Sequence, residues 1–443
     1  MSYLVTLGIR PHVLYVAWGF PPMAGGGTYR TLATANTLVE VGFDVTVLTA
    51  DRDAFLGFTG VDTSLEDKID PSIDVVRIPF SRPGADFDIR HWPEQRIRAP
   101  KAWLEEYQSQ ALTDFPEPTF GVWLTPMLAE VDRIHARRPV DLVIGSANPH
   151  VVLAAGDHLR SRWGVPHVID HRDAWRLNCY SGLEVHLDEP RVAELETRFM
   201  ESAHQVWFVN EPIKAWHQEI YPQAAEKMRV VENGYDPDFA PKPPTSAPDP
   251  GRPLQFTYIG TVSRHVPVEE FISGWIEGRR VSAELAQADA DIYGPLAPVR
   301  GRGELLAEAE KFGLRHRGPV AKADVAALYE AADVLLLLLG AGRFVTSGKL
   351  YEYLAAGLPI VSVHEPGNGA STILRDYPLW FPVQDLTAAA IAPALAAAAA
   401  AARLGDSALR ARAISFAKQF ERSRQLRRPL ADLFELFHPE VSA

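Results

Sequence analysis

The chain has 443 residues, 47% of them hydrophobic and 23% charged, which is a globular composition with length for two or three domains. Its formal net charge of -12 argues against a general nucleic-acid or anionic-membrane binder, although a few local Arg or Lys groups suffice to hold one phosphate. The single cysteine, Cys179, excludes a disulfide framework within the chain, argues against a cysteine-based metal site and fits a reducing cytosol.

Met1 to Arg10 has a short apolar stretch but neither the basic start nor the cleavage site of a signal peptide. His12 to Trp18 is an apolar run ending in a Gly/Pro-rich loop, Thr28 to Val41 is helical in period, and Asp44 to Thr49 is apolar again. Strand, loop, helix, strand within about forty residues predicts a βαβ unit and a parallel sheet. Val75 to Ile78 reads as a further strand. Ser81 to Pro126 breaks the rhythm with His91, Trp92, Trp103, Tyr107, Phe115, Phe120 and Trp123 among charges and prolines, and is expected to be an insertion of short helices and loops. Strands then follow at Asp141 to Gly145, His167 to Asp170, Gln205 to Val209 and Met228 to Val231. Helices alternate with them at His150 to Trp163, Arg191 to Glu201 and Glu211 to Ile220.

Phe239 to Pro253 holds six prolines in fifteen residues and suits a semi-rigid linker. A second α/β series follows. Strands are expected at Leu254 to Ile259, Ala290 to Tyr293, Val334 to Leu339 and Pro359 to Val363. Helices are expected at Val268 to Gly278, Gly303 to Phe312, Lys322 to Ala331, Gly348 to Ala356 and Leu386 to Ala402, the last kinked or restarted at Pro393. Leu409 to Leu436 reads as one or two amphipathic helices. No apolar run reaches membrane-spanning length, since Val334 to Leu339 is only strand-sized. Peripheral membrane contact through a surface patch stays open. The pattern predicts two doubly wound, Rossmann-like parallel-sheet domains, 1–240 and 254–415, with the insertion at about 81–126. Such sheets bind ligands at the carboxyl ends of their strands, and two facing each other leave a cleft.

Four constellations stand at strand ends. Gly25-Gly26-Gly27 lets a ligand approach the backbone, and the helix start behind it offers free N–H groups, a phosphate or sugar site if not simply a tight turn. Asp170-His171-Arg172-Asp173 combines acid, imidazole and guanidinium where a hydroxyl could be polarised or positioned; the plainer reading is a capped turn with Arg172 paired to an acid. Gly260-Thr261-Val262-Ser263-Arg264-His265 suits a diphosphate or an ordinary surface turn. Thr346 to Val361 reads loop, helix, glycine stop, strand. Ser347 and Gly348 open a helix whose amides and dipole favour an anion, Lys349 adds charge, and Glu352 lies about 5.4 Å further along the axis, within reach of a ribose. Blandly, Lys349 and Glu352 are an i,i+3 surface pair.

The run S-G-K-L-Y-E-Y-L-A-A-G-L-P-I-V resembles the donor-binding segment of retaining glycosyltransferases of the GT-B fold. Val230 to Asp236 resembles the group's V-I-P-N-G-V-D segment, Tyr258-Ile259-Gly260 its Y-V-G-R, and Gly318 to Val334 its G-x-V…L-Y-x-x-A-D-V stretch near the base. The likeness covers most of the chain. It implies transfer of a sugar from a nucleoside diphosphate sugar to an acceptor hydroxyl with retention, a cytoplasmic enzyme, no cofactor and no Asp-x-Asp metal site. It also implies that a last helix, 416–443, crosses back to the N-terminal domain.

By that likeness the donor is expected on Gly26, Gly27, Gly260, Thr261, Arg264, Val320, Thr346, Ser347, Gly348, Leu350 and Glu352. Catalysis is expected from Asp170, His171, Arg172, Asp173 and Lys349. The acceptor (a glycan, a lipid-linked sugar or a small molecule) is expected beside Gly25 and Tyr29, with the aromatic insertion as a platform through Trp92 or merely packing its own core. Two departures stand out. The group's sugar-touching Glu, eight residues before Glu352, is Phe344 here, and its Arg after Y-V-G is Thr261. They keep open pseudo-glycosyl coupling at the same site, alongside a nucleotide-sugar epimerase or a non-catalytic sugar-nucleotide-binding protein. A dehydrogenase is disfavoured because no G-x-G-x-x-G is present.

Overall fold

The computed structural model describes residues 10–80, 82–321, 324–340 and 342–437. The expectation about Met1 to Arg10 therefore lies outside the described residues except at Arg10, and the expected helix start at Lys322 lies outside them too.

Thirteen strands form two sheets among the described residues. In the first, β1 (His12–Val16), β2 (Asp44–Ala50), β3 (Asp74–Ile78), β4 (Leu142–Ala147), β5 (His167–His171), β6 (Gln205–Phe208) and β7 (Met228–Val230) run parallel in the order β3-β2-β1-β4-β5-β6-β7. In the second, β8 (Gln255–Ile259), β9 (Asp289–Tyr293), β10 (Leu314–Gly318), β11 (Val334–Leu338), β12 (Ile360–Val363) and β13 (Trp380–Pro382) run parallel in the order β10-β9-β8-β11-β12-β13. The central strands β1 and β11 are buried along their whole length, so they read as continuous apolar runs rather than alternations. The order reverses between β1 and β4, and again between β8 and β11, and ligands of open parallel sheets bind at such reversals.

The chain divides into two compact units. The first lies within Met1–Asn178, Glu184–Glu232 and Arg422–Ala443, and the second within Cys179–Leu183 and Asn233–Glu421. These borders differ from the expected ones. Residues 233–240 pack with the second unit because Tyr235 joins its core and bonds to the Phe420 carbonyl. Residues 416–421 also stay there, through Ala417 and Phe420. The helix Arg422–Glu435 belongs to the first unit, where Leu426, Leu430 and Leu433, spaced by turns, bury against Leu32 and Leu38 of the helix Gly26–Val41.

Several elements escaped the sequence pattern. β10 reads L-R-H-R-G, an edge strand whose Arg315 and Arg317 pair with Asp291, so no apolar run marks it. β13 is three residues with a proline, on the opposite edge. The helices Arg52–Phe58, Leu124–Arg137 and Gly369–Leu374 were also unforeseen. Pro393 does not restart its helix; Ala388–Leu404 runs through it. No single helix among the described residues is long and apolar enough to cross a membrane. The most apolar one, Ala388–Leu404, buries Ile391, Leu395 and Ala399 in the second unit's core.

Candidate functional site

In the first unit the polar set at the end of β5 divides by the two-residue period of the strand. Asp170, fully buried, faces the helix Gly26–Val41. Arg30 on that helix, also buried, holds its carboxylate with two fingers: Nη2 donates to Oδ1 at 2.7 Å and Nε to Oδ2 at 2.9 Å. Ser146 Oγ, cross-strand on β4, donates to Oδ2 at 3.1 Å, and Arg30 Nη1 donates to the Glu232 carbonyl at 3.1 Å. His171 points to the other face. It is fully buried, its Nε2 is 3.1 Å from Glu196 Oε1, and burial pulls its pKa down to about 4. Asp170 and His171 therefore do not stand open to a substrate as the sequence led one to expect. Their hydrogen bonds are turned inward because strand alternation places them on opposite buried faces.

Arg172 and Asp173 follow outside the strand. Arg172 is half-buried; Nε donates to the Ala147 carbonyl at 2.6 Å and Nη2 to the Asn148 carbonyl at 3.0 Å. A Cβ on Gly27 would come within 2.1 Å of Arg172 Nη1, so the guanidinium lies directly against the glycine backbone. Gly25 and Gly26 are exposed, and nothing crowds Gly26. The structure thus brings Arg172 to the glycine loop. The bland alternative for this arginine, pairing to an acid, gives way to bonds with two carbonyls. Asp173 is exposed, and its carbonyl lies 3.0 Å from His150 Nε2. Tyr29 is half-buried.

Trp92 packs within the insertion. Its Nε1 donates to the Asp86 carbonyl at 3.1 Å and Arg96 lies 3.7 Å over its ring. Trp123 is buried in the first unit.

In the second unit the expected residues gather at the reversal between β8 and β11. Gly260 ends β8 with φ +153°, and a Cβ there would meet Lys349 Nζ at 2.0 Å. Gly294, after β9, has φ +127°, and its Cβ would meet the Gly260 carbonyl at 2.2 Å. Two strand ends thus pass each other with no room for side chains. Lys349 lies over this seam. Its Nζ donates to Tyr258 Oη at 3.1 Å and sits 4.5 Å from the centre of that ring, while Tyr258 Oη donates to the Thr261 carbonyl at 3.1 Å. Burial lowers the Lys349 ammonium to about 8, with Glu352 acting the other way.

The helix Gly348–Ala356 begins at Ser347, whose side chain makes no cap, and nothing crowds exposed Gly348. Its first-turn amides and dipole end favour an anion. Glu352, half-buried one turn on, accepts a hydrogen bond from Tyr329 Oη at 2.8 Å. Thr346 is half-buried beside Gly369, and Val320 is partly buried against the core. Leu350 is fully buried in that core, so its side chain is structural and a ligand would meet at most its backbone. Arg264 is exposed, with Nε 3.2 Å from His265 Nε2. Phe344 is buried, with Arg343 stacked 4.8 Å over its ring.

Residues 25–234 match the glycosyl transferase 4-like domain family. A search of curated protein sequences gave no match. Among solved structures, a glycosyltransferase from Rickettsia africae ESF-5 superposes with a TM-score of 0.62 at 11% identity, covering 97% of this chain and 99% of that one. Sucrose-phosphate synthase from Thermosynechococcus elongatus gives 0.62 at 14% identity, covering 97% and 100%. HepE of Anabaena, in complex with UDP, gives 0.60 at 14% identity, covering 96% and 100%. The chain has the GT-B fold.

Sequence reasoning missed several residues that shape both ends of this GT-B chain. Arg30 is the main one. Its signal was faint: Thr28, Thr31, Thr34 and Thr37 recur every third position, so the helix behind the glycine loop buries a polar face. Tyr258 and Tyr329, which hold Lys349 and Glu352, read as core aromatics. Glu232 is half-buried at the end of β7, and burial lifts its carboxyl to about 7.

Proposed function

We propose that this GT-B chain transfers a sugar from a nucleoside diphosphate sugar to an acceptor hydroxyl with retention of configuration, without a metal ion in the transfer step. One observation carries the reading: Lys349 lies across the Gly260 seam beside an uncapped helix start, with Glu352 one turn further on. A diphosphate at the helix start would be met by backbone amides and by the Lys349 ammonium, and the ribose by Glu352. As the bond to the sugar breaks, charge builds on the leaving diphosphate, and those fixed donors stabilise it more than they stabilise the ground state. Exposed Arg264, bonded here to His265, would add charge to the same phosphates on leaving that partner. The fold shared with a UDP-binding protein supports a nucleotide donor. The acceptor is assigned to the first unit, near Gly25, Gly26 and Tyr29. A cytosolic location completes the proposal and fits the single cysteine.

A second reading rests on Phe344. An apolar ring stands where the resemblance expects a sugar-touching carboxylate, which favours coupling chemistry of the pseudo-glycosyl kind. The experiment is a thermal-shift panel with UDP, GDP, ADP and dTDP on wild type and Glu352→Ala, followed by donor turnover in Lys349→Ala. One nucleotide should raise the wild-type midpoint, because it binds only the folded state, and Glu352→Ala should lose most of that rise. Lys349→Ala should slow turnover by about a hundredfold. If no nucleotide moves the midpoint at millimolar concentration, or if Lys349→Ala turns over normally, the donor site is not here.

A further inference from the structure

The face of β5 opposite Asp170 carries a cluster that the transfer reaction does not use. His171 from β5, Glu196 from the helix Pro190–Ser202 and His217 from the helix Glu211–Ile220 are each fully buried. One ligand atom from each lies within 4.8 Å of the others. His171 Nε2 is 3.1 Å, and His217 Nε2 3.7 Å, from Glu196 Oε1.

The hydrogen bonds fix what these atoms present. His217 Nδ1 donates to the Ile213 carbonyl one turn earlier at 2.8 Å, which leaves Nε2 as the ring atom turned toward the cluster. That Nε2 is buried with no hydrogen-bond partner, and it faces a carboxylate oxygen. A buried, unpartnered ring nitrogen facing a carboxylate oxygen away from water calls for a positive charge between them, a bound cation or a proton. The carboxylate is also aimed. Tyr221 Oη donates to the other oxygen, Oε2, at 2.6 Å, and Arg176 Nη1 donates to Tyr221 Oη at 2.6 Å.

We propose that His171 Nε2, Glu196 Oε1 and His217 Nε2 bind a divalent cation of the zinc class inside the first unit. Two imidazole nitrogens and a carboxylate oxygen are a zinc donor set. Bonds of about 2.0–2.1 Å at tetrahedral angles put donors roughly 3.3 Å apart; the two separations through Glu196 Oε1, 3.1 and 3.7 Å, are near that, and the two imidazole nitrogens, within 4.8 Å of each other, would have to draw together around the ion. The Ile213 carbonyl and Tyr221 are the outer partners that orient His217 and Glu196. The role is structural. The ion ties the strand carrying Asp170 to two helices, and it touches neither donor nor acceptor. It stands apart from the proposed transfer reaction and from the expectation of a metal-free chain.

The test uses the full chain made without a histidine tag, in zinc-supplemented medium, and then desalted. Elemental analysis should find about one zinc per chain, and chelation should lower the thermal midpoint, with recovery on adding zinc. Cobalt added to the stripped protein should give visible bands more intense than those of hydrated cobalt. His217→Gln and Glu196→Gln should lose the metal while His158→Gln keeps it. If the two variants fail to fold, the wild-type measurements decide. Zinc well below about one-tenth of stoichiometry, with only the pale spectrum of hydrated cobalt, overturns the proposal and leaves a proton on His217 as the balancing charge. Full zinc retention by a folded His217→Gln overturns it as well.

Discussion

The two sheets equip their ligand-facing edges by opposite means. At the end of β5, Asp170 is spent on Arg30 and Ser146, and His171 on Glu196, so a dense polar set is consumed by the protein itself. At the end of β8 the glycine seams and an uncapped helix start leave backbone amides unspent, and Lys349 beside them gives only one hydrogen bond, to Tyr258. The contrast teaches that polar density at a strand end is a weak sign of reaction chemistry. What counts is which donors remain unspent once neighbours have taken their share.

Breaking the buried pair should give the largest effect. Arg30→Ala leaves the Asp170 charge buried and unpaired, and is expected to destabilise the first unit by about 3–5 kcal/mol in urea denaturation. Gly260→Ala should behave differently. It adds a Cβ where Lys349 lies and strains a positive φ, costing about 1–3 kcal/mol of stability, while the nucleotide affinity falls by at least roughly tenfold. If Arg30→Ala melts like wild type but loses turnover, the first edge is a reaction site after all and the contrast fails.

Acidity and alkalinity should separate the units next. Burial holds His167 at about 4, below its unfolded value near 6.5, and His12 and His204 are lowered in the same sense. The unfolded chain takes up protons in that window before the folded one does. Stability is therefore whole above about pH 6.5 and is lost as pH falls toward 4, by at most about 1.4 kcal/mol per pH unit for each group. His150, held up by Glu117 against the pull of burial, works the other way and offsets part of this. In the second unit the sensitive group is Lys349. A phosphate favours its protonated form, so nucleotide affinity should hold below about pH 8 and fall by up to about tenfold per unit above it. Calorimetric titrations of wild type and Lys349→Arg across that range check this, since the arginine variant should stay flat.

The fold was readable because its central strands are apolar runs broken by Gly and Pro signals, and the helix Gly348–Ala356 lies where the sequence put it. What escaped was carried by charge rather than apolar period. β10 has its arginines satisfied by Asp291 on the neighbouring strand, a pairing between distant residues that no local pattern shows. For the candidate site, what the sequence shows is which segments stand close together. Gly260, Ser347, Gly348, Lys349 and Glu352 sit within two short segments that topology brings together. Arg30 and Asp170 are 140 positions apart, and nothing local announces that one will consume the other. Leu350 is expected at the donor because a motif position is carried over whole, whereas the helix turns its side chain into the core and leaves only its backbone for a ligand.

The smallest expected effect concerns the insertion. Trp92 is half-buried, its N–H is bonded to Asp86, and one ring face is covered by Arg96. A partly buried cation–π pair and one hydrogen bond together stabilise by about 1–3 kcal/mol, so Trp92→Ala should lower the denaturation midpoint modestly and leave the acceptor KM unchanged. A sugar needs a free aromatic face to stack on, and at Trp92 the guanidinium of Arg96 already occupies one. Only if Trp92→Ala raised the acceptor KM at an unmoved midpoint would its remaining face have to be the platform, with Arg96 bracing the ring from behind.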